Sequence, residues 1–404
     1  MRILALVADI PNPPIGGARL RNYQLWPAIR ELGHEVKVIG YNAFHAGWNS
    51  SDEAAAHNDG EFYRPLRQLL PFRAIGGLLH SHYERARSPR LAERVDELTQ
   101  SWKPDVVHAE ELRMGFYLPR FRGVDAGSLQ TVTLHNAESY LYEQIGKLQA
   151  GVAAKAHHQL QLLSLRNYEA RVIRSADLLF AYSPVDYRYY KEKYPRARWE
   201  QTRNGTDARH IATAPRAPGN RILSLGALSY YANVRGLWWF LDEVWPRLQG
   251  RFQLTVAGSG ARDDVRARLR RDGIRFEDTP RDLEPLYREN AICIVPLLEG
   301  SGTRGRILEA CAFQRPVITT ARGLEGLDLV PGQEGVIVAD DPLEFARAIE
   351  YWSGAEQERE KLAAEGRAAV LRRYDWSVVA AELVRHWQQA RPGASASTGA
   401  RMPS

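Results

Sequence analysis

The chain has 404 residues, a formal net charge of +6, 25% charged and 44% hydrophobic residues. That length exceeds one ordinary core and points to two or three domains, and the composition excludes a disordered or collagen-like chain. With only Cys293 and Cys311 as cysteines, a disulfide framework and a Cys-rich zinc site are excluded, and the basic excess favours anionic partners such as nucleotides, phosphates or acidic lipid.

The first segment, RILALVADI from Arg2, is a β-rich apolar run too short for a signal peptide and predicts a strand buried on both faces of a parallel sheet. A loop with Gly16 and Gly17 leads into a predicted helix, and HEVKVIGY from His34 gives the next strand. Residues 63–90 mix Leu, Phe, Ile and Tyr with repeated Arg. Such a basic amphipathic stretch reads equally as a plain surface helix or as a peripheral contact with an anionic membrane face. Further on, LAERVDELTQSW predicts a helix, PDVVHAE and LQTVTLHNAE predict strands, residues 153–175 a long helix, and DLLFAYS another strand. Alternation of this kind predicts an α/β fold with a doubly wound parallel sheet.

A turn-rich stretch, RNGTDARHIATAPRAPGN from Arg203, is the expected linker. Beyond it the alternation restarts with RILSLGAL, GLWWFLDEVWPRL, FQLTVAGSG, DDVRARLRRDG, IRFEDT, DLEPLYREN and AICIVPL, and continues through RILEACAF, PVITT, EGVIVA and PLEFARAIEYW. Two Rossmann-like domains are therefore expected, at 1–200 and 201–375, each binding ligands beyond its strand C-termini. The segment 365–390 reads as two helices divided at Tyr374 to Trp376, and 392–404 as a disordered tail. No apolar stretch reaches the roughly 20 residues of a membrane span. A cytoplasmic protein is expected, with the inner membrane face as its place of peripheral contact.

Several loops could carry chemistry. Gly16 and Gly17 precede a helix N-terminus, which attracts anions and admits close backbone approach; a turn chosen for geometry is the plainer account. His135 and Asn136 follow the strand TVTL, and His108 lies in DVVHAE, so both histidines are placed at strand C-termini, where a donor to phosphate or hydroxyl and a structural histidine are both open. VAGSG and GSGTR are small-residue loops ahead of helices, able to cradle an anion with backbone N–H groups, and only the second adds cations, Arg304 and Arg306. Glu309 follows about one and a half turns into that helix, where a carboxylate can accept ribose hydroxyls. No Asp-x-Asp triplet, metal-ligand spacing, G-x-S-x-G elbow or RNA-binding motif is present. No metal, cofactor or nucleic-acid partner is expected, and phosphate charge falls to arginine and helix N-termini.

In order along residues 1 to 380, PPIGGARLRNYQLWPAIRELGHEVKVI, TLHNAE, RNGTD, LGALSYYANVRGLWWFLDEVWPRL, VAGSG and PLLEGSGTRGRILEACAFQRPVITTARGLEGL resemble family 4 retaining glycosyltransferases of the GT-B fold, the glycosyltransferase group 1. The resemblance implies a metal-independent hexosyltransferase with two Rossmann-like domains. The C-terminal one would bind a nucleotide-sugar donor and the N-terminal one a saccharide, lipid-linked or small-molecule hydroxyl acceptor, with a C-terminal helix, 376–391, crossing back. It further implies that Gly16 and Gly17 approach the donor diphosphate or sugar, that His135 lies near the reacting sugar, that Gly302 and Thr303 give amides to the phosphates, and that Glu309 binds ribose.

Two positions depart from the family pattern. Ser301 stands eight before Glu309 where a glutamate is usual, with Glu299 two positions out of register. Ala227 follows Gly226 where the family has arginine, and the nearest cation is Arg235. Arg304, assisted by Arg235 or Arg306, is the expected replacement for the diphosphate clamp. Two alternatives stay open: a sugar-nucleotide epimerase on the same plan, and a non-catalytic nucleotide-sugar binder.

Overall fold

The structure is a computed structural model and describes residues 1–9, 17–41, 54–57, 60–63, 88–124, 127–147, 151–300 and 304–391. Gly16, Ser301, Gly302 and Thr303, the tail 392–404 and all but the ends of the amphipathic stretch 63–90 lie outside the described residues. The chain divides into two compact units, residues 1–203 with the chain from Val379 onward, and residues 204–378.

In the first unit an eight-stranded sheet runs β3-β4-β2-β1-β5-β6-β7-β8, parallel except for the β3–β4 pair. Its strands are β1 (Arg2–Val7), β2 (Glu35–Tyr41), β3 (Ala54–His57), β4 (Gly60–Tyr63), β5 (Val106–Glu110), β6 (Leu129–Leu134), β7 (Leu178–Ala181) and β8 (Trp199–Gln201). β5, β6 and β7 are buried at every position, as strands covered by helices on both faces must be. Helices α1 (Gly17–Glu31), α2 (Pro89–Ser101), α3 (Glu138–Lys147), α4 (Val152–Ser175) and α5 (Pro184–Lys193) connect them. Ser88 and Ser183 cap α2 and α5 by accepting from Leu91 N and Asp186 N, each followed by a proline whose missing N–H costs nothing at a first turn.

The second unit holds a fully parallel sheet, β11-β10-β9-β12-β13-β14. Its strands are β9 (Arg221–Leu225), β10 (Gln253–Gly258), β11 (Arg275–Asp278), β12 (Ile292–Val295), β13 (Val317–Thr319) and β14 (Val336–Val338). Helices α6 (Tyr231–Trp239), α7 (Asp263–Arg271), α8 (Glu284–Glu289), α9 (Gly305–Ala312), α10 (Ala321–Leu324), α11 (Pro342–Gly354) and α12 (Glu356–Arg373) surround it. The helix expected through Leu248 instead passes from α6 into a π turn, Phe240–Val244, and a 3-10 turn, Trp245–Arg247. Pro246 lacks the N–H that would continue the α ladder. The expected linker is ordered against this unit: Ala208 is fully buried, Arg367 donates to the carbonyls of Ala208 and Ile211, and Ala214 N donates to Phe313 O.

The last helix, α13 (Trp376–Ala390), follows α12 after a break at Tyr374 and Asp375. From Val379 on it belongs to the first unit, where Trp387 is fully buried with its ring 5.2 Å from that of His108. No helix among the described residues is long and apolar enough to cross a membrane.

Candidate functional site

Parallel strands end on one edge of a sheet, so residues far apart in sequence meet there. In the first unit Glu110 is the last residue of β5, His135 follows β6, and Tyr182 follows β7. Arg21 comes to the same place from the first turns of α1. Glu110 is fully buried and Arg21 1% exposed. One carboxylate oxygen, Oε1, accepts from Arg21 Nε at 3.1 Å and faces His108 Nε2 at 3.3 Å; the other, Oε2, faces His135 Nε2 at 2.8 Å and accepts from Tyr182 OH at 3.2 Å.

A carboxylate so deep would be protonated if left alone. Burial pushes the Glu110 pKa up, but the Arg21 charge and the donors on His108 and His135 outweigh it and hold the acid well below its ordinary value. The ionised Glu110 can only accept, so the His135 proton sits on Nε2 in the neutral ring. Its Nδ1 is then the acceptor, and it meets no partner among the described residues. Arg21 is fixed as well, with Nη1 donating to Arg203 O at 2.9 Å and the guanidinium 4.7 Å from the centre of the Tyr182 ring. Directly after Glu110 the chain turns at Glu111, whose φ of 77° is costly for a residue with a side chain.

His108 has a different place. It is fully buried, with Nδ1 2.6 Å from Thr131 Oγ1 and Nε2 3.0 Å from Thr133 Oγ1, and burial lowers its pKa. It packs beneath Glu110 as a neutral, structural histidine. Gly17 opens α1, and among the described residues a Cβ there would meet nothing within 4 Å.

In the second unit the described ends of the small-residue loop are Gly300 and Arg304. Gly300 has φ 104°, and a Cβ on it would come 2.9 Å from Tyr230 OH, so both its conformation and its neighbour exclude a side chain. Arg304 is 8% exposed, stands at the N-cap of α9 and donates from Nη2 to Gly300 O at 2.8 Å. Burial lowers its pKa, opposed by the nearby Tyr230 and Glu325.

The other expected donor residues are paired with one another. Arg306 Nη1 meets Glu309 Oε2 at 2.5 Å, and Arg235 Nη1 meets Glu299 Oε1 at 2.7 Å. Thus Arg306 and Glu309, expected to serve phosphate and ribose, occupy each other here, and Arg235 is brought to Glu299, the carboxylate two positions out of the family register.

The small residues of VAGSG also serve packing. A Cβ on Gly258 would fall 1.8 Å from Gly226 O, and Leu228 N donates to Ser259 O at 2.7 Å, so the loops after β9 and β10 are locked together. The helix that follows, α7, starts with Asp263 and Asp264, which disfavour an anion at its N-terminus.

Sequence reading singled out His135 and His108 but not Arg21, Glu110 or Tyr182. The available signal was the single acid closing the apolar strand VVHAE. Among the described residues no group of three or more His, Cys, Asp or Glu is arranged to hold a metal ion.

Comparison with known proteins gives the same division of the chain. Residues 16–205 match the family model for the glycosyl transferase 4-like domain, and residues 219–353 that for glycosyl transferases group 1. An uncharacterized 44.6 kDa protein in the cps region of Klebsiella pneumoniae is 31% identical over 33% of this chain and 37% of its own length. Glycogen synthase of Mycobacterium tuberculosis is 26% identical over 97% of this chain and 96% of its own. Among solved structures, Anabaena HepE in complex with UDP superimposes with a TM-score of 0.68 at 16% identity, covering 96% of this chain and all of that one.

Proposed function

Since this chain belongs to the group 1 glycosyl transferases, which transfer sugars from nucleotide-sugar donors, we propose that it is a retaining hexosyltransferase acting on a hydroxyl acceptor, with its donor held by the second unit and its acceptor by the first. The observation that carries this reading is His135. Its ring is anchored on Nε2 by a buried carboxylate and a tyrosine, its side chain is 15% exposed, and Nδ1 points away from those anchors. An imidazole fixed in this way presents one defined acceptor to a sugar hydroxyl, and its orientation is set before substrate arrives.

In the reaction the bond from the anomeric carbon to the diphosphate oxygen breaks as the acceptor oxygen bonds the same carbon on the same face. The departing phosphate oxygen takes the acceptor proton. Negative charge gathers on the diphosphate, and Arg304, buried at the N-terminus of α9, is the cation we assign to meet it, with Arg235 or Arg306 assisting. A preorganised charge in a dry site lowers the barrier more than an exposed one, which favours Arg304 over the two surface arginines. Gly302 and Thr303 keep the roles implied by resemblance, as do Gly16 and Gly17, and Ser301, where the family has a glutamate, is assigned to the donor sugar through its hydroxyl. For the base and sugar, the UDP bound to HepE makes UDP-sugars the first donors to test. The free, buried Cys293 and Cys311 support a reducing, cytoplasmic setting.

The test is a panel of UDP-, GDP-, ADP- and TDP-sugars with saccharide, lipid-linked and small-molecule acceptors, the product anomer being read by NMR. Retention is expected, and an inverted product overturns the reading. Epimerised donor in the absence of acceptor would assign the epimerase class instead. His135→Ala should lower kcat about a hundredfold, and normal turnover in that variant removes its role.

A further inference from the structure

The second unit contains a cavity of about 260 Å³ at the edge of its sheet away from the small-residue loop. Ala291 and Pro316, which line it, immediately precede β12 and β13, whereas the loop carrying Gly300 leaves the other end of β12. Nothing in the transfer reaction uses it.

Its charged lining is Arg216, Arg315, Arg359 and Glu360. Arg315 and Arg359 are 6% and 5% exposed. Glu360 is already committed, because its two oxygens meet Arg216 Nε at 2.5 Å and Nη2 at 2.7 Å at the exposed rim. Arg315 is held by backbone carbonyls: Nε donates to Tyr287 O at 2.8 Å, Nη1 to Gln314 O at 3.2 Å and Ala214 O at 3.4 Å, and Nη2 to Pro215 O.

Arg359 differs from its neighbour. It uses only Nη1, which donates to Trp352 O at 2.7 Å and Ser353 O at 2.8 Å near the end of α11. The Nε and Nη2 groups, with three N–H donors between them, meet no acceptor among the described residues. That edge of a guanidinium offers two parallel donors, the fork that oxyanions take bidentately. Neither Nε nor Nη2 of Arg359 is sealed from solvent, so the unused fork is open to an anion entering the cavity, and the charges of Arg315 and Arg359 beside it repel each other. Burial lowers the pKa of both arginines, and Arg359 adds to the lowering of Arg315.

We propose that this cavity binds a phosphate group, seated on the Nε and Nη2 edge of Arg359, as free phosphate or as the monoester end of a small sugar phosphate. The lining carries three arginines and one glutamate, and Glu356 at the rim meets Arg216 Nη1 at 3.5 Å, so the cavity keeps an excess of positive charge that an anion offsets. The volume is below the roughly 300–1,000 Å³ of sites for drug-sized ligands, which suits a small anion. The donor and this anion therefore occupy separate sites, and binding here is independent of the transfer reaction.

The test is calorimetric titration of the full chain with inorganic phosphate and with glucose 6-phosphate, after UDP binding has been measured and with UDP held saturating. One equivalent is expected to bind. Arg359→Met should weaken it at least tenfold and leave UDP affinity unchanged. Arg359→Lys keeps the charge but loses the fork, and is expected to weaken binding by a similar factor; it decides the matter if the methionine variant fails to fold. Tighter binding of the sugar phosphate assigns the monoester, and equal binding assigns free phosphate. No binding heat to the UDP-saturated protein, or unchanged affinity in the Arg359 variants, overturns the proposal.

Discussion

The two units organise their charged groups in opposite ways. In the first, Glu110 is fully buried with Arg21, His108, His135 and Tyr182 around its two oxygens. In the second, the half-buried Glu309 and Glu299 pair with Arg306 and Arg235, whose side chains are 45% and 62% exposed. A buried network cannot rearrange without stranding a charge, while a solvated pair is worth about 0–1 kcal/mol and changes partners readily. The first unit thus presents one imidazole in one orientation. The second presents charges able to leave each other for a ligand.

The largest expected effect tests the buried side. Glu110→Ala leaves Arg21 uncompensated in the interior and should cost roughly 3–5 kcal/mol of stability, read by urea denaturation. A loss under about 1 kcal/mol would mean that the network is not rigid, and the contrast between the units would fail. Next comes Arg304→Ala, expected to lower kcat about a hundredfold with the far-UV circular dichroism unchanged. Turnover close to normal would place the cationic clamp elsewhere.

The exposed pairs should behave more gently. Glu309→Ala is expected to raise the donor KM about tenfold, equivalent to about 1.4 kcal/mol, with a stability change below 1 kcal/mol. Arg306→Ala frees Glu309, so it should leave the donor KM unchanged or lower, with kcat falling where Arg306 is the residue assisting Arg304. If both variants raise KM equally, Arg306 holds the donor itself and the picture of exchanging partners must be redrawn.

The smallest effect is that of pH. Burial lowers the His108 pKa from 6.5, so below that pH the unfolded chain takes up a proton that the folded chain refuses, and stability falls as pH drops. Glu110 acts in the same direction at lower pH. Its pKa is held below 4.5, so its contribution is present above that value and is lost as pH falls through the folded pKa. Urea midpoints at about pH 7.5 and about pH 5.5 should differ, with the acidic one lower; equal midpoints would show that His108 is not coupled to folding.

Much of the architecture was legible in the chain because its signals are local. Apolar runs such as RILALV and ICIV marked central strands, and the period of residues 153–175 marked α4. What escaped depended on neighbours remote in sequence. Glu110 looked like an ordinary acid at the end of a strand, and only the parallel pairing of β5, β6 and β7 brings it to His135 and Tyr182. The glycines of VAGSG suggested a phosphate nest, but the sequence could not show that a Cβ on Gly258 would meet the Gly226 carbonyl and one on Gly260 would meet Ser229. The Gly- and Pro-rich stretch after Arg203 suggested a flexible tether because composition does not reveal that Arg367 and Phe313 hold it down.

The placement of α13 has a consequence for biosynthesis. The first unit includes the chain from Val379 onward, with Trp387 buried among its aromatic rings, whereas the second unit is one unbroken segment. A ribosome that has passed residue 203 has therefore not yet made everything the first unit requires. Residues 204–378 can complete their core during translation, while residues 1–203 must wait for a helix synthesised after them.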